Sequence, residues 1–273
     1  MDSYSVLMSV YHKENSEWLR MAIESAWNQT VRPKDFVLVC DGHLNEELDA
    51  VIAEMQAELG DAMQVVRLEQ NSGLGNALNV GIQYCKNELV ARMDADDIAR
   101  EDRCERQLAV FAANPEVSIV SGVVDEFSET PDVVDSRRVP PETHEQIMQF
   151  VKKRNPFNHP CVMYRKSAVE AAGGYREMYL LEDYFLWIRM LLNGAKGYNI
   201  QESLLWMRAG ENMYQRRGGR KYVKAQRQLF DYMREQGLIK RGEWIKSVTI
   251  RTLSGLAPNK LRKFVFGKML RKK

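Results

Sequence analysis

The segment ARMDADDI (91–98) sets Asp94, Asp96 and Asp97 within four positions. Carboxylates this close repel one another unless something positive lies between them. Hard oxygen donors at such spacing suit Mg2+ or Mn2+, held at about 2.1 Å for magnesium, with waters and phosphate oxygens completing the shell. The alternative is that Asp96 or Asp97 caps the helix that runs through Arg103 and Leu108. A second acidic pair, Glu182 and Asp183, opens the apolar stretch LLEDYFLWIRMLLNG. A carboxylate there could take the proton of a hydroxyl as it attacks an electrophile. Two acids would equally stabilise a helix N-terminus through its dipole.

Three further groups could recognise a ligand. Asp41 closes the apolar run FVLVC (36–40) and precedes Gly42. Its carboxylate could accept from an imide N–H such as N3 of uracil, with Tyr11 stacked on a base; an Asp-Gly pair is also an ordinary turn. NSGLGNALNVGI (71–82) places Asn71, Gly73 and Gly75 where a strand meets a helix. Free N–H groups at a helix start favour phosphate or a closely approaching ligand. The segment has neither the G-K-[ST] of a Walker loop nor G-x-G-x-x-G. His159, in NPFNHPC, could bond a sugar or phosphate or pack as a structural histidine. Trp187 and Trp206 could floor a pyranose site or fill the core.

The elements that must carry these residues alternate over the first 130 positions. SVLMSVY (5–11), FVLVC, MQVVRL (63–68) and ELVARMD read as buried strands. Between them, Leu19, Ala22, Ile23 and Ala26 recur at helical spacing behind a cap at Asn15 or Ser16. Leu48, Val51, Ile52, Met55 and Leu59 form one face of a helix ended by Gly60. A helix around NALNVGIQYC, another over DRCERQLAVFAANP and the strand VSIVSGVVDEF follow. This alternation predicts an α/β fold with a mostly parallel sheet covered on both faces. Ligands bind beyond the carboxyl ends of such strands, so Tyr11, Asp41, the segment after Leu68 and Asp94 should share one rim. In the second half, ETPDVVDSRRVPPE (129–142) reads as loop, HEQIMQFVKK as helix, CVMYRKS as strand and LLEDYFLWIRMLLNG as helix.

Composition bounds the setting. No stretch approaches the roughly 20 apolar residues of a membrane span. The start, MDSYSVLMSV, lacks the cationic region of a secretory signal. Cys40, Cys85, Cys104 and Cys161 are scattered, which fits a reduced cytosol, and the four histidines form no zinc pattern. The net charge of +2 conceals an asymmetry: residues 211–273 carry 18 Lys+Arg against 4 Asp+Glu. Near the end, Leu261, Phe264, Val265 and Met269 recur at helical spacing among Lys260, Arg262, Lys263, Lys268, Arg271 and Lys272. A cationic amphipathic helix of this kind can lie in an anionic bilayer interface. A dimer or domain contact could use the same face, and a solvated helix is the plain alternative. Nothing beside it resembles a nucleic-acid-reading module.

Taken in order, SVLMSVY, FVLVCDG, NSGLGNALNVGI, ARMDADDI, NPFNHPCVMYR and LLEDYFLWIRML resemble family 2 glycosyltransferases of the GT-A fold. The likeness is to bacterial enzymes that build O-antigen, capsule or exopolysaccharide, and covers roughly residues 4–215. It implies a catalytic domain over 1–210, with a nucleotide-binding half (1–127) and an acceptor-binding half (128–210), and a basic helical extension over 211–273. It further implies a UDP-sugar donor held by Tyr11, Asp41, Asn71, Gly73, Arg92 and Asp94. Asp96, with Asp94, would hold Mn2+ or Mg2+, and Asp97 would cap or support. Asp183 would be the general base, Glu182 would orient it or the acceptor, and His159 and Trp187 would lie on the acceptor side. Arg92 could meet the diphosphate or pair with a neighbouring acid. Many relatives carry Arg before the asparagine of the N-x-G segment, where this chain has Leu78 before Asn79. The phosphate contact would then come from Arg216 or Arg217. The expected reaction is metal-dependent, inverting transfer to a lipid-linked or polysaccharide acceptor at the inner face of the cell membrane. A sugar nucleotidyltransferase and an inactive nucleotide- or membrane-binding scaffold are the alternatives; the former should show a glycine-rich start, which SVLMSVYHKENS lacks.

Overall fold

The computed structural model describes residues 3–209 and 218–256. The first strand, β1 (Tyr4–Val10), lies between β2 (Asp35–Cys40) and β4 (Leu89–Asp94), and β3 (Met63–Arg67) extends the sheet beyond β2; all four run parallel. Residues of β1, β2 and β4 are buried almost without a break, because helices cover both faces. On one face lie α1 (Ser16–Trp27), α2 (Glu46–Leu59) and α4 (Arg103–Ala113); on the other lie α3 (Leu74–Tyr84) and α7 (Glu182–Leu192).

Local chemistry starts and stops these helices where the sequence says. Asn15 accepts from the Trp18 N–H at 3.0 Å and Asn45 from the Leu48 N–H at 2.9 Å, satisfying donors that a helix start leaves free. Gly60, at φ 58°, ends α2. The five apolar residues expected on the inner face of α2 are all buried.

The second half differs from the expected mostly parallel arrangement. After β4 come β8 (Met163–Arg165), β6 (Val117–Phe127) and β9 (Lys196–Arg208), with β5 (Ile98–Ala99) beyond, in one nine-stranded sheet of order β3-β2-β1-β4-β8-β6-β9-β5. The β4–β8, β8–β6 and β9–β5 pairs are antiparallel, and β6–β9 is parallel, so the sheet is mixed. The segment read as loop over 129–142 contains β7 (Ser136–Arg138), which pairs with the end of β6. Arg137 and Arg138 draw it there by pairing with the buried Asp125 and Glu126. β9 also lay outside the sequence expectations; its pairing with β6 shifts register three times, which blurs the alternation that marks a strand.

Beyond β9, α8 (Gly219–Glu235) and α9 (Arg241–Leu256) pack on the same body. Ala225, Leu229, Phe230, Met233 and Ile239 are buried in the hydrophobic cluster that contains α7. Among the described residues no helix is long and apolar enough to cross a membrane. Arg216, Arg217 and the amphipathic run 260–272 lie outside the described residues.

Candidate active site

The strand order brings the chemistry together. From β1 the chain passes to β2 and β3 on one side, while β4 lies on the other; a cleft opens at such a switch point, beyond the carboxyl ends of the strands. Register pairs Val10 with Cys40 and Ser9 with Asp94, so Tyr11, Asp41 and the aspartate cluster occupy one rim. Tyr11 is half-buried, with its ring edge-on to His12 at 5.7 Å.

Asp41 has a structural duty that the sequence did not reveal. Its Oδ1 accepts from the Ser72 N–H at 2.7 Å and the Ser72 hydroxyl at 3.1 Å; its Oδ2 accepts from the Gly73 N–H at 3.0 Å. Asn71 Nδ2 donates to the Asp41 carbonyl at 3.2 Å. Buried Asp41 thus sets the shape of the glycine loop at the start of α3. Gly42 makes this possible: at φ +86°, a Cβ would stand 2.6 Å from Asn71 N.

At the end of β4, Asp94, Asp96 and Asp97 bring their ligand oxygens within 4.8 Å of one another. Burial and the neighbouring Asp94 push the Asp96 carboxyl up to about 6. Burial, with Asp96 and Asp94, also drives Asp97 well above the ordinary range, and its Oδ2 is buried without a hydrogen-bond partner. A hard dication relieves this strain, and three carboxylate donors suit it, so the residues present fit Mn2+ or Mg2+. Asp97 does not cap α4. Its Oδ1 accepts from the Arg208 N–H at 2.8 Å, and Arg208 Nε donates to the Asp96 carbonyl at 3.2 Å, tying the end of β9 to the acidic loop.

Arg92 lies beneath this cluster, 1% exposed, and pairs with Asp94. Of the two roles considered for it, the structure displays the pairing with an acid. Burial opposes its charge, yet Asp94, Tyr175 and Tyr164 hold the guanidinium above its ordinary value. Its field reaches both sides of the cleft, favouring ionisation of Asp96 and of Glu182.

The acidic pair at the start of α7 is held by long-range contacts. Asn79, on α3, accepts from the Tyr175 N–H at 2.7 Å and donates to its carbonyl at 2.6 Å, fixing the segment that leads into α7. Glu182 packs over Gly75, where a Cβ would lie 3.6 Å from its own Cβ. Burial, then the adjacent Asp183, pushes Glu182 up to about 7. Asn155 Nδ2 donates to Asp183 Oδ2 at 2.6 Å. Just upstream, Leu180 adopts φ 58°, the one positive φ at a non-glycine among the described residues. Such backbone strain concentrates at functional sites.

Other expected residues lie inside the protein. Trp187 is fully buried among Phe157, His159, Tyr164 and Tyr175, so its face is closed to a sugar ring. His159 is buried and its Nε2 lies 2.9 Å from the Tyr175 hydroxyl. Burial, aided by Arg92, depresses its basicity, which keeps the imidazole neutral. Trp206 carries the Arg100 guanidinium over its ring at 3.5 Å. Leu78, just before Asn79, is a core residue. Sequence reasoning missed Asn155, Asn79, Ser72 and Arg208 as site-shaping residues. Asn155 and Asn79 stood inside the quoted motifs, and only spatial partners distinguish them.

Sequence and fold comparisons define the class of the protein. The profile of glycosyl transferase family 2 matches residues 5–173, and the chain belongs to that family. It is a glycosyltransferase of GT-A fold, which decides against the nucleotidyltransferase alternative. The amylovoran biosynthesis glycosyltransferase AmsE of Erwinia amylovora is 38% identical over 268 residues, 97% of this chain and 98% of that protein. The UDP-Gal:alpha-D-GlcNAc-diphosphoundecaprenol beta-1,3-galactosyltransferase of Escherichia coli is 36% identical over 270 residues, 98% of this chain and 97% of its own. Among solved structures, residues 1–349 of S. aureus TarS in complex with UDP-GlcNAc match with TM-score 0.68 at 17% identity, over 98% of this chain and 76% of that one. The Pyrobaculum calidifontis mannosyltransferase PcManGT, in complex with GDP-Man and Mn2+, matches with TM-score 0.66 at 14% identity, over 92% and 69%.

Proposed function

We propose that the protein transfers a hexose or N-acetylhexosamine from a UDP-sugar to a hydroxyl of a lipid-linked saccharide, with inversion and with Mn2+ or Mg2+ bound. The observation that carries the reading is the pair of acidic clusters, Asp94/Asp96/Asp97 and Glu182/Asp183, with the charge of buried Arg92 felt by both. The names of the Escherichia coli and Staphylococcus aureus proteins support UDP as the nucleotide, and the former supports a lipid diphosphate acceptor. The Mn2+ in the Pyrobaculum complex supports a divalent ion.

Asp96 and Asp94 would hold the ion, which supplies charge neutralisation for a departing diphosphate. Tyr11, Asp41 and the loop Asn71–Gly73 form the wall for base and ribose. Asp183, oriented by Asn155, accepts the proton of the acceptor hydroxyl as its oxygen bonds the anomeric carbon and UDP leaves with the electron pair. Attack opposite the leaving group inverts that carbon. Glu182 borders Asp183 and the start of α3, where it lines the acceptor side. Basic residues of the C-terminal segment, including Arg216 and Arg217, would meet donor phosphate or the anionic inner face of the cell membrane.

Transfer from a panel of UDP-sugars, measured with and without Mn2+, tests the proposal. Asp96→Ala should abolish metal-dependent UDP binding and turnover, and full turnover without added metal rejects its role. Asp183→Asn should bind donor but not transfer; an unimpaired rate removes it as the base.

A further inference from the structure

The longest apolar exposure on the described surface lies on α9. Ile245 is 49% exposed, Ile250 52%, Leu253 68% and Leu256 58%. At about 100° per residue, Ile245, Leu253 and Leu256 fall within an arc of about 80° that also holds Thr249, with Lys246 and then Ile250 beside Leu253. The opposite face fixes this orientation. Trp244 Nε1 donates to Asp231 Oδ1 at 2.8 Å, Arg251 Nε donates to Gln226 Oε1 at 2.9 Å, and the Arg251 guanidinium covers Phe230 at 4.3 Å. Gly255 leaves room for Val223, whose Cγ2 a Cβ would meet at 2.5 Å.

We infer that this outward face of α9 seats the protein on an anionic phospholipid bilayer, beside the cleft wall that carries Asp183. Charge selects the occupant. Residues 219–256 carry nine Lys+Arg against three Asp+Glu, and the sequence after them, 257–273, adds seven cations and no acid. A second copy docked about a twofold axis would bring two such cation-rich segments together, and the equally cationic sequence 257–273 is no better matched to this one. A bilayer with anionic headgroups offers apolar depth for the strip and negative charge for its borders. The position has a consequence for the cleft. Arg251 also donates to the Lys153 carbonyl, two residues before Asn155, the residue that bonds Asp183. The membrane face and the base are therefore braced on one loop, and an acceptor whose lipid stays in the bilayer would reach Asp183 from that side. This consequence rests on the lipid-linked acceptor proposed above; the seating itself does not.

The test uses the full chain and vesicles of phosphatidylcholine with or without phosphatidylglycerol. Ile250→Glu combined with Leu253→Glu should lower affinity for the phosphatidylglycerol vesicles by at least about tenfold, since it withdraws apolar area and adds repulsion. Both sites are exposed, so the melting temperature should stay unchanged. In a second variant, Leu253→Trp, acyl-brominated lipids should quench the added fluorescence beyond the wild-type level. Unchanged vesicle affinity of the double variant, or no added quenching at position 253, overturns the inference even if the tail binds lipid. A dimer in sedimentation velocity that the double variant abolishes, with vesicle affinity intact, overturns it in favour of a second copy. Stabilisation by UDP with Mn2+ is read in parallel: its absence with quenching present sinks the transfer proposal alone.

Discussion

Replacing Asp41 by Asn separates two roles that one side chain could have, holding a loop or reading a base. The change is nearly isosteric, so the Cβ and the backbone of β2 stay in place. In the wild type both carboxylate oxygens accept main-chain N–H groups, from Ser72 at 2.7 Å and Gly73 at 3.0 Å. An amide keeps one acceptor oxygen and presents an NH2 where the other stood. One of the two loop N–H groups must then face a donor inside a site that is 3% exposed. A hydrogen bond to a charged group contributes about 1.5–3 kcal/mol, and a buried unpaired donor costs about 1–3 kcal/mol. A loss of about 2–3 kcal/mol in the ligand-free protein follows, or roughly 5 °C in melting temperature for a domain of this size. Scanning calorimetry without ligand measures the first effect; hydrogen exchange of the amides at 72 and 73 localises it. UDP titration should show weaker binding as well, because the loop is no longer preformed. Wild-type melting and exchange together with weakened UDP binding would refute the loop-clamp reasoning and leave Asp41 as a base reader alone.

Glu182 gives a pH prediction whose sign is fixed by burial. Its folded value is raised from the ordinary 4.5 to about 7, so its contribution to stability is complete below about pH 4.5 and is lost as pH rises through about 7. Glu182→Gln should flatten that part of the stability–pH curve, by up to about 3 kcal/mol and less because the side chain is part-exposed, in denaturant titrations. Leu180→Gly should relieve left-handed strain and raise stability by about 1 kcal/mol, while transfer slows because the entry to α7 loosens; unchanged stability denies the strain. Trp187→Ala should cost about 3–5 kcal/mol in urea unfolding, as for any fully buried indole. A variant of normal stability with a raised acceptor KM would return Trp187 to the sugar site.

Where the sequence was transparent, one physical period dominated a whole element. α2 is legible because Leu48, Val51, Ile52, Met55 and Leu59 repeat at helical spacing and Gly60 ends the run, whereas its cap, Asn45, shows only in the structure. The rim was legible for a similar reason: short apolar runs end in Tyr11, Asp41 and Asp94, and a parallel sheet aligns those ends. β9 was not, because its shifted pairing with β6 leaves no clean alternation. β7 was hidden in a polar stretch because it is held by ion pairs to Asp125 and Glu126 rather than by apolar burial. The contact between Asn155 and Asp183 escaped for a different reason. Asn155 and Asp183 are 28 positions apart, and neither residue type nor spacing reveals that their side chains meet. Trp187 shows the converse, a residue type suited to sugar that is spent on the interior.

One short helix touches the residues proposed for both substrate sites. In α3, Gly75 lies against Glu182, Asn79 grips Tyr175 by two hydrogen bonds, and Gly73 at its head is gripped by Asp41. Gly75 and Asn79 are a single helical turn apart, about 6 Å of axial rise. Inserting or deleting one residue between them would rotate one contact by roughly 100° relative to the other and unseat it. Ala77 and Leu78 within this turn are buried, and its length is a fixed gauge between the Asp41 loop and the entry to α7. Evolutionary drift in chain length has to be absorbed elsewhere, in the connections that touch neither end.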